Sequence, residues 1–596
     1  MPKFTKTTQN AFLRSGSCFL KRIVLLLAVG LTWPGLTVIA QETQVRVRVI
    51  DATNNPLPSA SINVKGTTKG IVANEAGVGT ISVSPKGTLV ISAVGYNQQE
   101  IAVNNRTEIT VSLEATINSA QEVVVIGYGT QRKADVTGSV ISVKGETLNE
   151  IKAPNIFNQM QGRVAGVDIV QNGNTIGNAG QIRIRGNRSI SGNNNPLIVV
   201  DGMAFGGSIN DIDPETIANV DVLKDASATA IFGSRGSNGV IIITTKRGRI
   251  GKPVTTLNTY VGMVEAIGKW DIFNGEEYAK FKEDARQGQP AFLTNPNVIS
   301  PYALTPTERA NLAAVVSTDW QESLLTRGIR TGHDVGINGG NDRTQYYFGV
   351  GYYRETGIVP DQKFDRFTLN INLDHKMTDW LKVGVQSFNT LSYQNRLGTN
   401  AYTNGLRLSP LFKPYNDDGS LNFQPAIEQG VDNVQINPLT SIGNNDLIKA
   451  LTRRYQFQHN FYAEAKLMEG LTLKSTFGFG WSQTFGSNYT GPNTVFNTNP
   501  NTAGARTSQS NAEGWQYTIN NSINYKKTFA QKHKLEAIAL QEIQKNVFQS
   551  QGWNGTGVPA NFIQDYNFQL ADVVTANAGQ YSESGLIGYM GRAIYS

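Results

Sequence analysis

The chain has 596 residues, 60 of them glycine, and only 17% are charged, a length that calls for several domains. Its formal net charge is +7, yet the first forty residues hold five bases and no acid, which leaves +2 for the remainder. A basic surface for nucleic acid is therefore excluded, and with Cys18 the sole cysteine so is a disulfide scaffold.

Lys3, Lys6, Arg14, Lys21 and Arg22 surround or precede a short apolar run from Ile23 to Leu31, followed by Val38-Ile39-Ala40. This pattern predicts a signal peptide over residues 1–40, cleaved after Ala40, because the run falls short of the ~20 residues of a spanning helix. Later apolar runs are shorter than a span as well. Helical membrane insertion is excluded, whereas a β-barrel, whose strands hide their apolarity in alternation, is not.

Residues 43–114 read as short strands: "VRVRVIDA", "ASINVKG", "GVGTISVS", "TLVISAVG" and "EITVSLEA". Turn chemistry at Asn54-Asn55-Pro56, Lys65-Gly66, Ala76-Gly77 and Pro85-Lys86-Gly87 separates them. A small β-sandwich is expected. The stretches "PLPSASINVKGTTKGIVANEAG" and "GTLVISAVGYNQQE" resemble the carboxypeptidase-regulatory-like domain. The resemblance implies a binding or spacer module without catalytic groups.

Residues 115–131 form a linker that contains "QEVVVIGYGTQ". Val123, Val124, Val125 and Ile126 favour extended backbone, Gly127 and Gly129 loosen it, and no hairpin partner is evident close by. The segment is either an ordinary connecting strand or one that adds itself to a sheet edge on a partner.

Residues 132–250 mix helix and strand. "NIFNQMQGRVAGVDIV" suggests a helix running into a strand, and "GQIRIRG" and "NPLIVVDG" are strands. "IDPETIANVDVLKDASATAIFGSRGSNGVIIITTKRG" reads as helix, strand, helix, glycine turn, strand, with Pro214 at an early helical position. Gly233, Gly236 and Gly239 are spaced by three. That is not a nucleotide-binding G-x-G-x-x-G, and a tight turn before "VIIITTK" accounts for them.

From residue 254 onward alternation dominates. In "RFTLNINLDH", Phe367, Leu369, Ile371 and Leu373 share one face, and Thr368, Asn370, Asn372 and Asp374 the other. "TQYYFGVGYY", "LTLKSTFGFGWS" and "WQYTINNSINY" alternate in the same way. Short turns ("NGGNDR", "HKMTD", "LMEG", "FAQKHK") join the runs in pairs, and long loops such as 394–450 and 486–510 separate the pairs. Short turns on one rim and long loops on the other describe an outer-membrane barrel. Tyr352, Tyr353, Trp380, Trp481 and Trp515 are expected in its aromatic girdles. A soluble β-sandwich or solenoid would alternate too, but needs no uniformly apolar outer face. About ten strands are expected, against about 22 in large plugged barrels. The expectation is thus the N-terminal part of a longer barrel, with a complete small barrel as the alternative.

Taken together, "EVVVIGYGTQRKADVTGSV", "IRIRGNRSI", "NPLIVVDG", the block from Asp201 to Arg247, and "STDWQESLL" with "YYFGVGYYRETGI" closely resemble SusC/RagA-type TonB-linked outer-membrane transporters. The resemblance implies a mainly β fold: a small β-sandwich, a mixed α/β plug at 132–250, and a transmembrane antiparallel β-barrel, incomplete here, at 254–596. It implies import of an oligomeric nutrient, usually a glycan and sometimes a peptide. The partners it implies are TonB with ExbB and ExbD, and a SusD-like surface lipoprotein. Glu122, Val123, Val124, Val125, Ile126, Gly127 and Tyr128 then correspond to the TonB box, and Asp201, Gly202, Lys224, Asp225, Gly233, Arg235, Gly236 and Gly239 to a plug motif.

Enzymatic chemistry is not expected. The four histidines are His333, His375, His459 and His533, and no H-E-x-x-H occurs. His533 and Glu536 fit H-x-x-E, but three positions apart on a strand they point to opposite faces. Asp201, Asp211 and Asp213 could gather round a cation, although loop carboxylates more often cap turns. No cofactor or metal is expected. Asn370, Asn372, Gln456, Gln458, Asn460, Thr518 and Asn520 are expected on the lumen side, against solute, plug or water. A surface binding or adhesion protein without transport is the competing function. A signalling receptor would carry an extra domain before Thr43.

Overall fold

The structure is a computed structural model that describes residues 43–595 apart from 52–53, 94–95, 115–122, 127–128, 133–138, 172–175, 289–302, 397–398, 426–435, 445, 493, 495–503 and 531. The expected signal peptide lies outside the described residues. The chain divides after Glu122 into two compact units, each taken here by itself.

The first unit is a pair of small sheets. Val78–Val83, Thr43–Asp51 and Glu108–Leu113 form one, and Gly70–Val72, Ser61–Val64, Thr88–Ser92 and Gln99–Ala102 the other. In "VRVRV" the valines Val45, Val47 and Val49 are buried and the arginines exposed, as the period of two requires. The valines pack with Ile62, Ile91 and Val111 in one core. The first strand runs parallel to the last and antiparallel to Val78–Val83.

The second unit begins with Val123–Ile126. Here the expectation of an unpartnered strand is corrected: the segment pairs antiparallel with Gly129–Arg132, Val123 opposite Arg132 and Ile126 opposite Gly129. This ladder is a two-stranded sheet of its own among the described residues.

A five-stranded sheet follows, in the order Val140–Lys144, Ile217–Leu223, Val240–Thr245, Leu197–Val200, Met203–Ala204. "VIIITT" and "IANVDVL" are almost wholly buried, which is why they read as continuous apolar runs rather than alternating ones. Val220, Val222, Ile241 and Ile243 pack against Ile156, Phe157 and Met160 of the helix Ile156–Met160. The expected helix at Pro214 is a single 3-10 turn, Pro214–Thr216, capped by Asp213. The expected helix after Asp225 is the short Ala226–Thr229, followed by a kinked turn with Gly233 at φ 57°.

Val167–Val170 and Gln181–Ile184 form a two-stranded sheet, and eleven antiparallel strands make up the large sheet that follows. The longest are Arg506–Phe529 and His533–Thr556, at 24 residues each. Its edges among the described residues are Gly251–Val264 on one side and, both paired to His533–Thr556, Val573–Ala576 and Gln580–Tyr595 on the other, so it is an open sheet rather than a closed cylinder. The short turns fall at 341–343, 377–380, 469–470 and 530–532, on one rim. The long connections at 265–327, 397–447, 491–505 and 557–572 lie on the other. The expected loops 394–450 and 486–510 are shorter, because strands reach Arg396, Thr490 and back to Arg506. On Gln362–Lys376 the alternation is borne out: Phe367, Leu369, Ile371 and Leu373 are exposed, while Arg366, Thr368, Asn370 and Asn372 are buried. Tyr353 is a correction. It shares the inward parity of Tyr347, Gly349 and Gly351, is buried, and donates to Glu355 Oε2 at 2.5 Å.

One turn of the five-stranded sheet depends on glycine. Asp201 and Gly202 join Leu197–Val200 to Met203–Ala204 with φ of 49° and 88°, the two positive angles of a type I′ turn. A Cβ on Gly202 would meet nothing within 4 Å, so the constraint is backbone alone. Gly202→Val is expected to destabilise the unit by about 1–2 kcal/mol. Gly202→Asn should cost less, since Asn tolerates this region. Urea midpoints of the two variants check the order.

Candidate coupling segment and plug anchorage

The residues of the expected plug motif separate into two groups at opposite ends of the five-stranded sheet. At one end stands Asp201. Its carboxylate accepts from Thr245 N at 3.1 Å and Thr245 Oγ1 at 2.7 Å, and its carbonyl accepts from Asn460 Nδ2 of the large sheet at 3.2 Å. The I′ turn is thereby tied to a neighbouring strand and to the wall.

At the other end lie Lys224, Asp225, Gly233, Arg235, Gly236 and Gly239. Lys224 Nζ donates to Ala165 O at 2.9 Å. Asp225 caps the helix Ala226–Thr229 by accepting from Ala228 N at 2.8 Å, and also accepts from Ser139 N. Ser139 directly precedes the edge strand Val140–Lys144, so Asp225 clamps the point where the backbone arriving from the segment at 123–132 joins the sheet. Arg235 reaches the wall strand His533–Thr556, where it donates to Gln544 Oε1 and pairs with Glu542. Gly239 has φ 90°, and a Cβ there would sit 2.7 Å from Ile184 Cδ1. Of the residues expected as a TonB box, Val123–Ile126 is extended, while Glu122, Gly127 and Tyr128 lie outside the described residues.

The strongest anchorage was not among the expected site residues. Arg366, 3% exposed on a wall strand, donates through Nη1 to Pro154 O and Asn210 O at 2.9 Å each and to Ile212 O at 3.3 Å. Its Nη2 meets Asp213 Oδ1 at 3.3 Å. Thr368 Oγ1, two residues on, donates to Asp213 Oδ2 at 2.9 Å. Thr390 Oγ1 donates to Asp211 O at 2.7 Å, and Arg454 lies 3.4 Å from Asp211 Oδ1. Burial holds the Asp211 carboxyl above the usual carboxylate range, against the pull of Arg454. Arg366 shares its parity with Thr368, Asn370 and Asn372, so a cation on the polar face of an alternating strand was the available signal.

Asp211 and Asp213 therefore meet guanidinium groups. They also cap local turns: Asp211 accepts from Ser208 N at 3.0 Å and Asp213 from Glu215 N at 3.1 Å. Among the described residues no cluster of His, Cys, Asp or Glu could hold a metal ion. His533 meets Tyr595 Oη, while Glu536 pairs with Lys526 at 3.2 Å. The lumen-side amides touch the plug: Gln458 Nε2 donates to Val200 O at 3.1 Å and Asn372 Nδ2 to Thr245 Oγ1 at 3.1 Å.

Residues 132–240 match the TonB-dependent Receptor Plug Domain, and residues 47–125 the CarboxypepD_reg-like domain. The TonB-dependent receptor SusC of Bacteroides thetaiotaomicron is 33% identical over 441 residues, covering 72% of this chain and 41% of that protein. A TonB-dependent receptor of Formosa agariphila is 31% identical over 569 residues, covering 93% and 54%. The chain belongs to the SusC/RagA-type TonB-dependent receptor family. It spans about half the length of the relatives it matches. The fold of this SusC/RagA-type protein is also that of the RagAB peptide importer in its open-open state, with a TM-score of 0.66 at 23% identity over 80% of this chain and 55% of that one.

Removing the Arg366 guanidinium leaves Asp213 buried without its cation. Arg366→Met is expected to cost about 3–5 kcal/mol and to open the segment around Pro154 and Asn210 to protease. Asp213→Asn in the same protein should recover part of the loss. Urea unfolding and limited proteolysis of the single and double variants check this.

Proposed function

We propose that the protein serves TonB-dependent active import of an oligomeric nutrient, a glycan or a peptide, across the outer membrane. In this reading residues 1–40 are the leader, 43–114 a periplasmic sandwich, 132–250 the plug and 254–596 part of the barrel. Energy comes from TonB with ExbB and ExbD, and a SusD-like lipoprotein covers the long-loop rim. The observation that carries the reading is the placement of an extended valine segment just ahead of a domain bonded to the polar inner face of a curved sheet.

The physics of each part suits that role. An isolated two-stranded ladder is marginal in water, so Val123–Ile126 can leave Gly129–Arg132 or accept a further strand from TonB through backbone hydrogen bonds. Traction on it arrives first at Ser139, at its bond to Asp225, and at the half-buried edge strand Val140–Lys144. The segment held by Arg366 lies deeper in the wall. Opening one edge costs less than global unfolding. The outward faces of the large sheet carry aliphatic and aromatic side chains fit for lipid, and all its strands but the four-residue Val573–Ala576 exceed the ~9–11 residues needed to cross a bilayer.

Deleting Glu122–Tyr128 is expected to abolish energised uptake of the nutrient and leave its surface binding intact. Unchanged uptake would favour the competing reading, an adhesion or binding protein without transport. The lipid contact is checked separately. Ile371→Lys, on the outward face, should weaken folding into vesicles by about 2–4 kcal/mol if the residue sits near mid-bilayer, whereas a water-exposed face would show little change.

A further inference from the structure

Two consecutive arginines on the wall strand Ile448–Met468 take opposite faces. Arg454 turns inward to Asp211. Arg453 shares the outward parity of Phe457 and Phe461, and stands opposite Tyr393 on one neighbouring strand and Phe485 on the other. Its guanidinium carbon lies 5.5 Å from the centre of the Tyr455 ring and 5.2 Å from that of Phe485. Such ring faces attract a cation and hold its plane. Nε is sealed in without a hydrogen-bond partner, while the side chain as a whole stays partly exposed. Among the described residues Arg453 forms no ion pair.

The charges beside it do not balance. Asp365, opposite Tyr393, is shared by Arg354 Nε at 2.6 Å and Lys363 Nζ at 3.2 Å. One carboxylate therefore faces three cations on adjoining strands, an excess of two positive charges. The other outward charges nearby are used: Lys449 holds Asp565 at 2.5 Å, and Glu513 accepts from Trp481 Nε1 at 2.7 Å and Gln549 Nε2 at 2.9 Å. Unmatched cations on a lipid-facing surface are costly at mid-bilayer and tolerated at its interface, so their height decides what they meet. Arg453 is fifteen residues beyond Met468, the short-turn end of its strand. Tilted strands climb roughly 2.5 Å per residue, which sets Arg453 roughly 35 Å up, past an apolar band of ~25 Å. That is headgroup depth on the long-loop side, just beyond the aromatic side chains.

We propose that this patch binds a phosphate of a lipid headgroup in the outer leaflet, with Arg453 gripping the phosphate edge-on and Arg354 and Lys363 beside it. The proposal rests on reading the sheet as part of a barrel, and is independent of the cargo and of TonB. A guanidinium held flat between rings presents its Nη edge in a fixed plane, and a phosphate matches two parallel N–H groups. Little ordering remains to be done when the ligand arrives. A neutral headgroup would leave the excess charge unmatched. The strand lies in the middle of the sheet with neighbours on both sides, so this face meets what surrounds the wall rather than a further strand of it.

Native mass spectrometry of the whole protein in a neutral maltoside detergent, with lipid A, its dephosphorylated form and inorganic phosphate as probes, tests this. Lipid A is expected to be retained and the dephosphorylated form to bind about tenfold more weakly. Excess inorganic phosphate should not displace the lipid. Arg453→Gln should weaken lipid A about tenfold. Arg453→Lys should fall between, since it keeps the charge but loses the planar fork. Lys376→Gln, at the short-turn rim, should change nothing. Sheet content by circular dichroism confirms that the variants fold. Equal retention of both lipid forms, indifference to Arg453→Gln, an equal effect of Lys376→Gln, or displacement by inorganic phosphate would each overturn the proposal. Ile371→Lys reports separately on the lipid-facing wall. If that variant behaves as lipid-facing while the headgroup test fails, the phosphate site is lost and the barrel reading stands.

Discussion

A guanidinium buried in the wall of a sheet has to find oxygens, and the plug supplies them. Arg366 collects three backbone carbonyls and one carboxylate from the segment between Pro154 and Asp213. A buried cation is tolerated when it is paired and hydrogen-bonded, and Arg366 is so held through both of its Nη atoms. The wall strand and the plug therefore specify one another, since neither can satisfy its polar groups by itself. The same logic recurs at Arg454 with Asp211 and at Arg235 with Glu542. The plug is fastened by a few ionic points among neutral amide contacts, and its apolar core, around Val220, Val222, Ile241 and Ile243, reaches Ile212 beside the anchorage and Phe388 of the wall.

This distribution separates firmness from mobility. The central strands Ile217–Leu223 and Val240–Thr245 are buried and paired on both edges. The edge strand Val140–Lys144 has one neighbour and is half-buried from Val140 to Val143, with Lys144 exposed. It is also the strand nearest in sequence to the valine segment, and the Asp225 carboxylate clamps its start. Force introduced ahead of residue 139 meets an edge strand of the sheet first, where opening costs less than global unfolding. Gly351 and Gly478 show how closely wall and plug approach. A Cβ at Gly351 would lie 2.5 Å from Asp213 Oδ2, and one at Gly478 2.7 Å from Met203 Sδ. In this part of the wall, glycine gives the plug side chains room.

The large sheet and its two faces are legible in the sequence because alternation is a local property. Each strand announces its apolar side through residues two apart, as Phe367, Leu369, Ile371 and Leu373 do. The short turns are legible for the same reason. What fails is range. Residue type and position place Tyr353 in a girdle, yet its neighbour Tyr352 takes the outward place and its own ring turns in towards Phe364 and Ile176. The valine segment reads as unpartnered because Gly129–Arg132 has little strand propensity, and pairing with it rests on backbone bonds that composition does not report. Arg366 escapes notice because a lone arginine in an alternating strand carries no mark of what lies across the lumen from it.

Residue order alone determined that the protein holds a β-rich first unit, a mixed plug and a set of amphipathic strands, because hydrophobic period and turn chemistry act over a few residues. The turn at Asp201-Gly202, inside a stretch that reads as strand, came only with the backbone angles of the folded chain. Tertiary structure alone decided which carboxylate meets which guanidinium, and that the plug motif divides between two ends of one sheet. Those pairings join residues up to about three hundred positions apart. Their geometry follows from the register of long strands and the burial of charge, neither of which a local window of sequence contains.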